Sequence, residues 1–123
     1  MEYTIVKQTD IETVVVKASG TINSTVAAKM VIDAGIVIRS SGFKRCLFDL
    51  TDTEIDSNQT ITGMYMFVET FKTAGIDRLT KIAGLQRTES EHRQQLEKAA
   101  TYEGFNLKYF TEKNMAIRWL CRN

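Results

Sequence analysis

The sequence contains no proline, no internal repeat and no low-complexity stretch, so nothing in it marks a linker or divides the chain. Cysteine is almost as scarce. Cys46 and Cys121 stand 75 positions apart with no second Cys or His at ligand spacing. That excludes a zinc site and a CxxC redox centre, and two reduced thiols are expected. Long apolar runs are missing too: each is broken by Lys, Asp, Gly or Arg well short of the roughly eighteen residues that cross a bilayer, so no membrane insertion is expected. The opening Met1-Glu2-Tyr3-Thr4-Ile5-Val6-Lys7 lacks the basic patch, apolar core and small-residue cleavage site of a secretory signal. A cytoplasmic protein is the expectation. Charge of one sign is also lacking: 16 Lys and Arg face 15 Asp and Glu, which gives no electrostatic grip on nucleic acid.

What remains is an ordinary globular composition. With 43% hydrophobic and 25% charged residues, 123 residues are too apolar for a disordered tail and enough to bury one core, so a single domain over 1–123 is expected. Residues 3–8 and 11–18 have strand character, and the Gln8-Thr9-Asp10 corner between them predicts an antiparallel hairpin. After Gly20, Asn23 or Ser24 caps a helix to about Ser40, with Val26, Ala27, Met30, Val31, Ala34, Val37 and Ile38 on one face. Ser41-Gly42 ends it. Arg45 to Leu50 reads as a buried parallel strand, and residues 51–58 as a polar loop.

A second helix follows from about Gln59 to Thr73, with Ile61, Met64, Tyr65, Phe67, Val68 and Phe71 as its apolar stripe. Leu79 to Leu85 is a strand. Thr88 and Glu91 have the spacing of a capping box for a third, mostly solvated helix that buries Leu96, Ala99 and Ala100. Phe105 to Phe110 is the last strand, and Thr111 opens a final helix that turns Met115, Ala116, Trp119 and Leu120 inward. The order ββαβαβαβα demands parallel strands with right-handed crossovers: an α/β fold with a mixed, mostly parallel sheet of about five strands, an N-terminal β-hairpin and four helices. Function is then expected near the carboxyl ends of the strands.

Candidate sites are few. Asp56-Ser57-Asn58 opens the second helix, where a phosphate would meet free N–H groups and the positive end of the macrodipole. The same three residue types are preferred helix caps, and that plainer role stays open. Asp49, Asp52, Glu54 and Asp56 make the loop acidic, without the spacing or turn glycine of a calcium site, so no metal is expected. His92, the only histidine, has no nucleophile motif to serve, and neither Ser19-Gly20 nor Ser41-Gly42 belongs to a phosphate-binding loop. No catalytic constellation and no cofactor motif is legible. On the first helix Ile32 and Ile36 lie about 120° or more from the buried stripe, with Lys29 and Arg39 beside them, and Met66 is similarly displaced on the second. They form a possible apolar contact patch for a partner or a second copy.

Three stretches resemble the STAS family of anti-sigma-factor antagonists and its SpoIIAA-like branch. They are Gly20 with the helix after it, Leu47-Phe48-Asp49-Leu50-Thr51 followed by Ile55-Asp56-Ser57, and the tail from Tyr109 to Leu120 with its Ala-x-x-Trp-Leu helix. The resemblance implies a non-catalytic regulatory or protein-interaction domain of the bacterial signalling type, whose partner reads Thr51, Asp52, Asp56, Ser57 and Asn58. Signalling members carry a phosphorylatable Ser or Thr and then Gly after the Asp-Ser pair. Here those positions are Asn58 and Gln59, so the usual acceptor motif is not intact and Ser57 is the acceptor that remains. SpoIIAA-like architecture is also similar to CRAL-TRIO lipid-binding domains. The resemblance therefore implies an alternative, a small apolar ligand held in a cleft lined by Met64, Tyr65, Phe67 and Phe71.

Overall fold

The computed structural model describes residues 2–55 and 61–122, with side chains left aside at Ile55, residues 61–66 and His92. Strands β1 (Glu2–Gln8) and β2 (Thr13–Ile22) form the hairpin. Then follow α1 (Ser24–Ser41), β3 (Arg45–Ile55), α2 (Ile61–Thr73), β4 (Lys81–Leu85), α3 (Glu91–Tyr102), β5 (Asn106–Phe110) and α4 (Lys113–Cys121). The sheet order is β1-β2-β3-β4-β5, with β1 antiparallel to β2 and the other pairs parallel.

Strand order equal to chain order decides the layers. Each crossover steps one strand the same way, and right-handed connections then place α1, α2 and α3 on one face. Val14, Val16, Cys46, Phe48, Ile82 and Leu107 alternate onto that face and pack against Met30, Val31, Ala34, Phe71, Leu96 and Ala100 of the three helices. Burying side chains such as Phe71 and Met30 stabilises by about 1.5–3 kcal/mol each. On the other face α4 sets Ala116 and Leu120 on Leu47, Ala83 and Leu85, with Trp119 packed at the margin against Phe110 at 5.7 Å. The nine-residue helix lies over β3 to β5, with Val15 of β2 packed at the edge of the same cluster. The Tyr3 hydroxyl donates to Asp33 and ties β1 to α1.

Helix boundaries follow local chemistry. The Asn23 side chain accepts from Val26 N at 2.9 Å, and Gly42, at φ +74°, turns the chain out of α1 while its N–H bonds Ile38 O. Four expectations are corrected. Ser90, not Thr88, caps α3, because its hydroxyl reaches Arg93 N at 3.2 Å. α4 starts at Lys113 with Glu112 before it and no side-chain cap, so Thr111 does not open it. Met115 points to solvent, 53% exposed, because so short a helix buries only one row of side chains. The polar segment after Leu50 is not a loop through Glu54: β3 runs on to Ile55, beside a β2 that continues through Gly20 to Ile22.

Candidate functional site

The carboxyl ends of β3 and β4 form a rim, and a bulge sets its chemistry. Lys17 lies opposite Asp49 but Ser19 lies opposite Asp52, so one residue of β2 faces two of β3. The Asp49 carboxylate holds the extra residue: it accepts from Thr51 N at 3.1 Å and from the Thr51 hydroxyl at 2.7 Å. Thr53 closes the turn with a bond to Leu50 O at 2.6 Å. Cys46, Phe48 and Leu50 point under the helices; in an unbroken ladder Asp52 and Glu54 would follow them inward. The added residue reverses the alternation, and both carboxylates are exposed instead. Asp52 then meets the Arg87 guanidinium at 3.3 Å.

Across from β3 the rim is built by residues 86–90, between β4 and α3. Gln86 N bonds Phe110 O at 3.0 Å and fixes the start of this loop. Arg93, buried in the first turn of α3, supports it from below by donating to Thr88 O at 3.1 Å, with its guanidinium 5.8 Å from the Tyr109 ring centre. Burial raises the Tyr109 phenol well above its ordinary pKa, so that ring stays neutral beneath the loop. Between the two walls lies a groove of about 380 Å³, with Leu50, Thr53 and Glu54 on one side and Gln86, Thr88 and Ser90 on the other. Gln86 is only 8% exposed. The groove offers hydroxyls, one amide, a carboxylate and the Arg87 guanidinium, donors and acceptors that suit polar groups of a visiting surface.

Of the residues expected from sequence, Thr51 and Asp52 are on this rim. Asp56, Ser57 and Asn58 lie outside the described residues, as do the side chains of Met64, Tyr65, Met66 and His92. Phe67 and Phe71 belong to the core: their rings meet edge-to-face at 5.3 Å, and Phe71 meets Phe105 at 5.5 Å. Ile32 and Ile36 are on the outer side of α1, 38% and 52% exposed, away from the rim. Gln86, Arg87, Thr88 and Ser90 were not expected as site residues. The one legible signal was Gln86, a polar residue closing the apolar run Ile82-Ala83-Gly84-Leu85. Among the described residues no group of three or more His, Cys, Asp or Glu is placed to hold a metal ion, and no helix is long and apolar enough to cross a membrane.

A hairpin-led mixed sheet with three helices on one face and one on the other defines the class, and comparison gives the particular fold. No family model and no curated protein sequence matches the chain. Solved structures do. An anti-sigma factor antagonist from Mycobacterium paratuberculosis is similar with a TM-score of 0.62 and 16% identity, over 98% of this chain and 94% of that one. An uncharacterised protein with a SpoIIAA-like fold from Shewanella loihica gives 0.58 and 16%, over 98% and 93%. The Bacillus cell fate determinant SpoIIAA, in its phosphorylated form, gives 0.52 and 11%, over 96% and 99%. The chain adopts the SpoIIAA-like, or STAS, fold.

Proposed function

We propose that the chain is a non-catalytic regulatory domain of the cytoplasm, acting as one unit over residues 1–123, and that it binds a protein partner through the rim. Thr51, Asp52 and the Asp56-Ser57-Asn58 segment supply one side of the contact, and Arg87 and Thr88 the other. Ser57 is the position at which phosphate would reset the partner's affinity, through the charge and acceptor oxygens it adds. The observation that carries the reading is the bulge held by Asp49, which spends an extra residue to aim Asp52 and Glu54 at solvent rather than to extend a regular ladder. Two of the similar structures are anti-sigma-factor antagonists by description or by relation to SpoIIAA, which adds support. A protein partner is preferred to an apolar ligand under α2 because Phe67 and Phe71 pack on each other and on Phe105.

The test is affinity capture from the native organism with the parent chain and with Asp52→Arg, Arg87→Glu and Lys98→Glu variants. The expected result is one protein retained by the parent and by the Lys98 control, two turns along α3 from its rim end, and lost with either rim variant. Equal retention by all four chains would overturn the docking site. Incubation with lysate and ATP, read by intact mass against Ser57→Ala, tests the modification; a mass gain that persists in the variant would remove Ser57.

A further inference from the structure

At the opposite end of the sheet, where β3 and β4 begin, the sequence gathers cations. A groove of about 340 Å³ is lined there by Lys44, Arg45, Lys81 and Arg122, with Glu12, 3.9 Å from the Arg45 guanidinium, as the one carboxylate among the described residues of its wall. Two of these side chains are locked in place. Arg45 donates to Leu120 O at 2.8 Å and to Ile11 O at 3.2 Å, and Lys81 donates to Trp119 O at 2.9 Å and to Arg122 O. Those carbonyls include the orphan acceptors at the end of α4, so capping accounts for a positive charge at both positions. It does not use them up: an ammonium has three donors and a guanidinium five, and each gives two here. Capping also does not call for Lys44, which reaches only as far as Asp77 at 3.5 Å, or for Arg122.

The same groove is apolar on its other wall. Leu79 is 79% exposed, Phe43 stands half-buried beside it, and Leu120 forms the floor. Leu79 is held outward by its own turn, in which Leu79 N donates to the Asp77 carboxylate at 2.7 Å; that bond and Lys44 keep the carboxyl below its usual range. Fixed cations beside a displayed leucine match one chemistry. We infer that this groove binds a small amphipathic anion, a carboxylate or phosphate headgroup set between Arg45 and Lys81 with a short apolar body against Leu79 and Phe43. Its volume is at the lower end of the roughly 300–1,000 Å³ usual for small-molecule sites. The site is independent of the rim and of any partner bound there.

The experiment uses the full chain with octanoate, octyl phosphate, octanol and inorganic phosphate. Trp119 is the only tryptophan, and the Lys81 ammonium lies 5.4 Å from its ring centre, so a headgroup that draws on Lys81 changes its emission. Calorimetry supplies the dissociation constants. Both amphiphilic anions are expected to bind, the tighter one identifying the headgroup, with octanol and inorganic phosphate weaker by about tenfold or more. Lys44→Glu and Leu79→Asp, both at exposed positions, are each expected to weaken binding by about tenfold, and added salt to weaken it further. Lys98→Glu is expected to bind as the parent does. The inference falls if neither anion binds below about 1 mM, if octanol or inorganic phosphate binds as tightly as the amphiphiles, or if both groove variants match the parent.

Discussion

Gly35, in the middle of α1, sets two opposing effects against each other. Alanine in a helix interior is favoured over glycine by about 0.5–1 kcal/mol, so propensity alone makes Gly35→Ala stabilising. The structure reverses the sign. A Cβ at Gly35 would lie 2.7 Å from Ala74 O and 2.9 Å from Ala74 Cβ, where α2 has just ended. The carbonyl is backbone and has no rotamer to escape into. Ala74 is buried between Phe71 and Ile76, and Gly75, at φ +70°, already has the Arg39 side chain against it. The added methyl must therefore push α1 away from the end of α2, and overpacking of this kind costs about 1–3 kcal/mol. The net expectation is a loss of about 1–2 kcal/mol, or roughly 4–8 °C in Tm at the usual unfolding entropy per residue for a chain of this length. Urea unfolding followed by far-UV circular dichroism measures it. A double variant with Ala74→Gly should recover only part of the loss, because the carbonyl stays. A Gly35→Ala chain more stable than the parent by the propensity increment would refute the close approach.

Cys121 is exposed and Cys46 is sealed in the core, where burial pushes its thiol well above the ordinary range, so a thiol reagent should titrate one cysteine in the native chain and two in guanidinium; two fast thiols would contradict the packing of β3. The hydrogen bond to Asp33, with smaller effects from burial and from the charge of the same carboxylate, raises Tyr3 from 10.0 to about 12. The folded chain thus holds that proton more tightly, and the stabilisation is fully present below pH 10 and lost as pH rises through about 12. Tyr3→Phe should lose that part of the alkaline fall in stability, and an unchanged profile would count against the bond. Thr80 Oγ1 is buried without a hydrogen-bond partner among the described residues, so Thr80→Val should be neutral or stabilising by up to about 1 kcal/mol in denaturant melts; a loss above that would reveal a partner.

Much of the architecture could be read from the chain because its signals agree. Asn23, the stripe from Ala27 to Ile38 and Gly42 specify α1 at both ends and along its face, and the structure follows them. The rim was harder for a physical reason. Thr51-Asp52-Thr53-Glu54 alternates, but it reads as a loop because acidic side chains are rarely placed in a central strand; the pairing with Ser19, Gly20 and Thr21 decides the matter, and that is a long-range contact. The bulge depends on a bond between Asp49 and Thr51, which no periodicity reports. Thr88 and Ser90 are both good caps, and only the path of the loop over Arg93 selects Ser90. Ile32 and Ile36 are exposed on α1, a position that helical phase alone determines.

Because the spatial order of the strands repeats their order in the chain, no strand has to be inserted between two that are already paired. The hairpin can close as soon as it is made, and each later helix and strand then finds a finished edge waiting for it. Assembly can therefore keep pace with synthesis from the amino terminus, with the exposed edge moving from β2 to β5 as the polypeptide emerges from the ribosome.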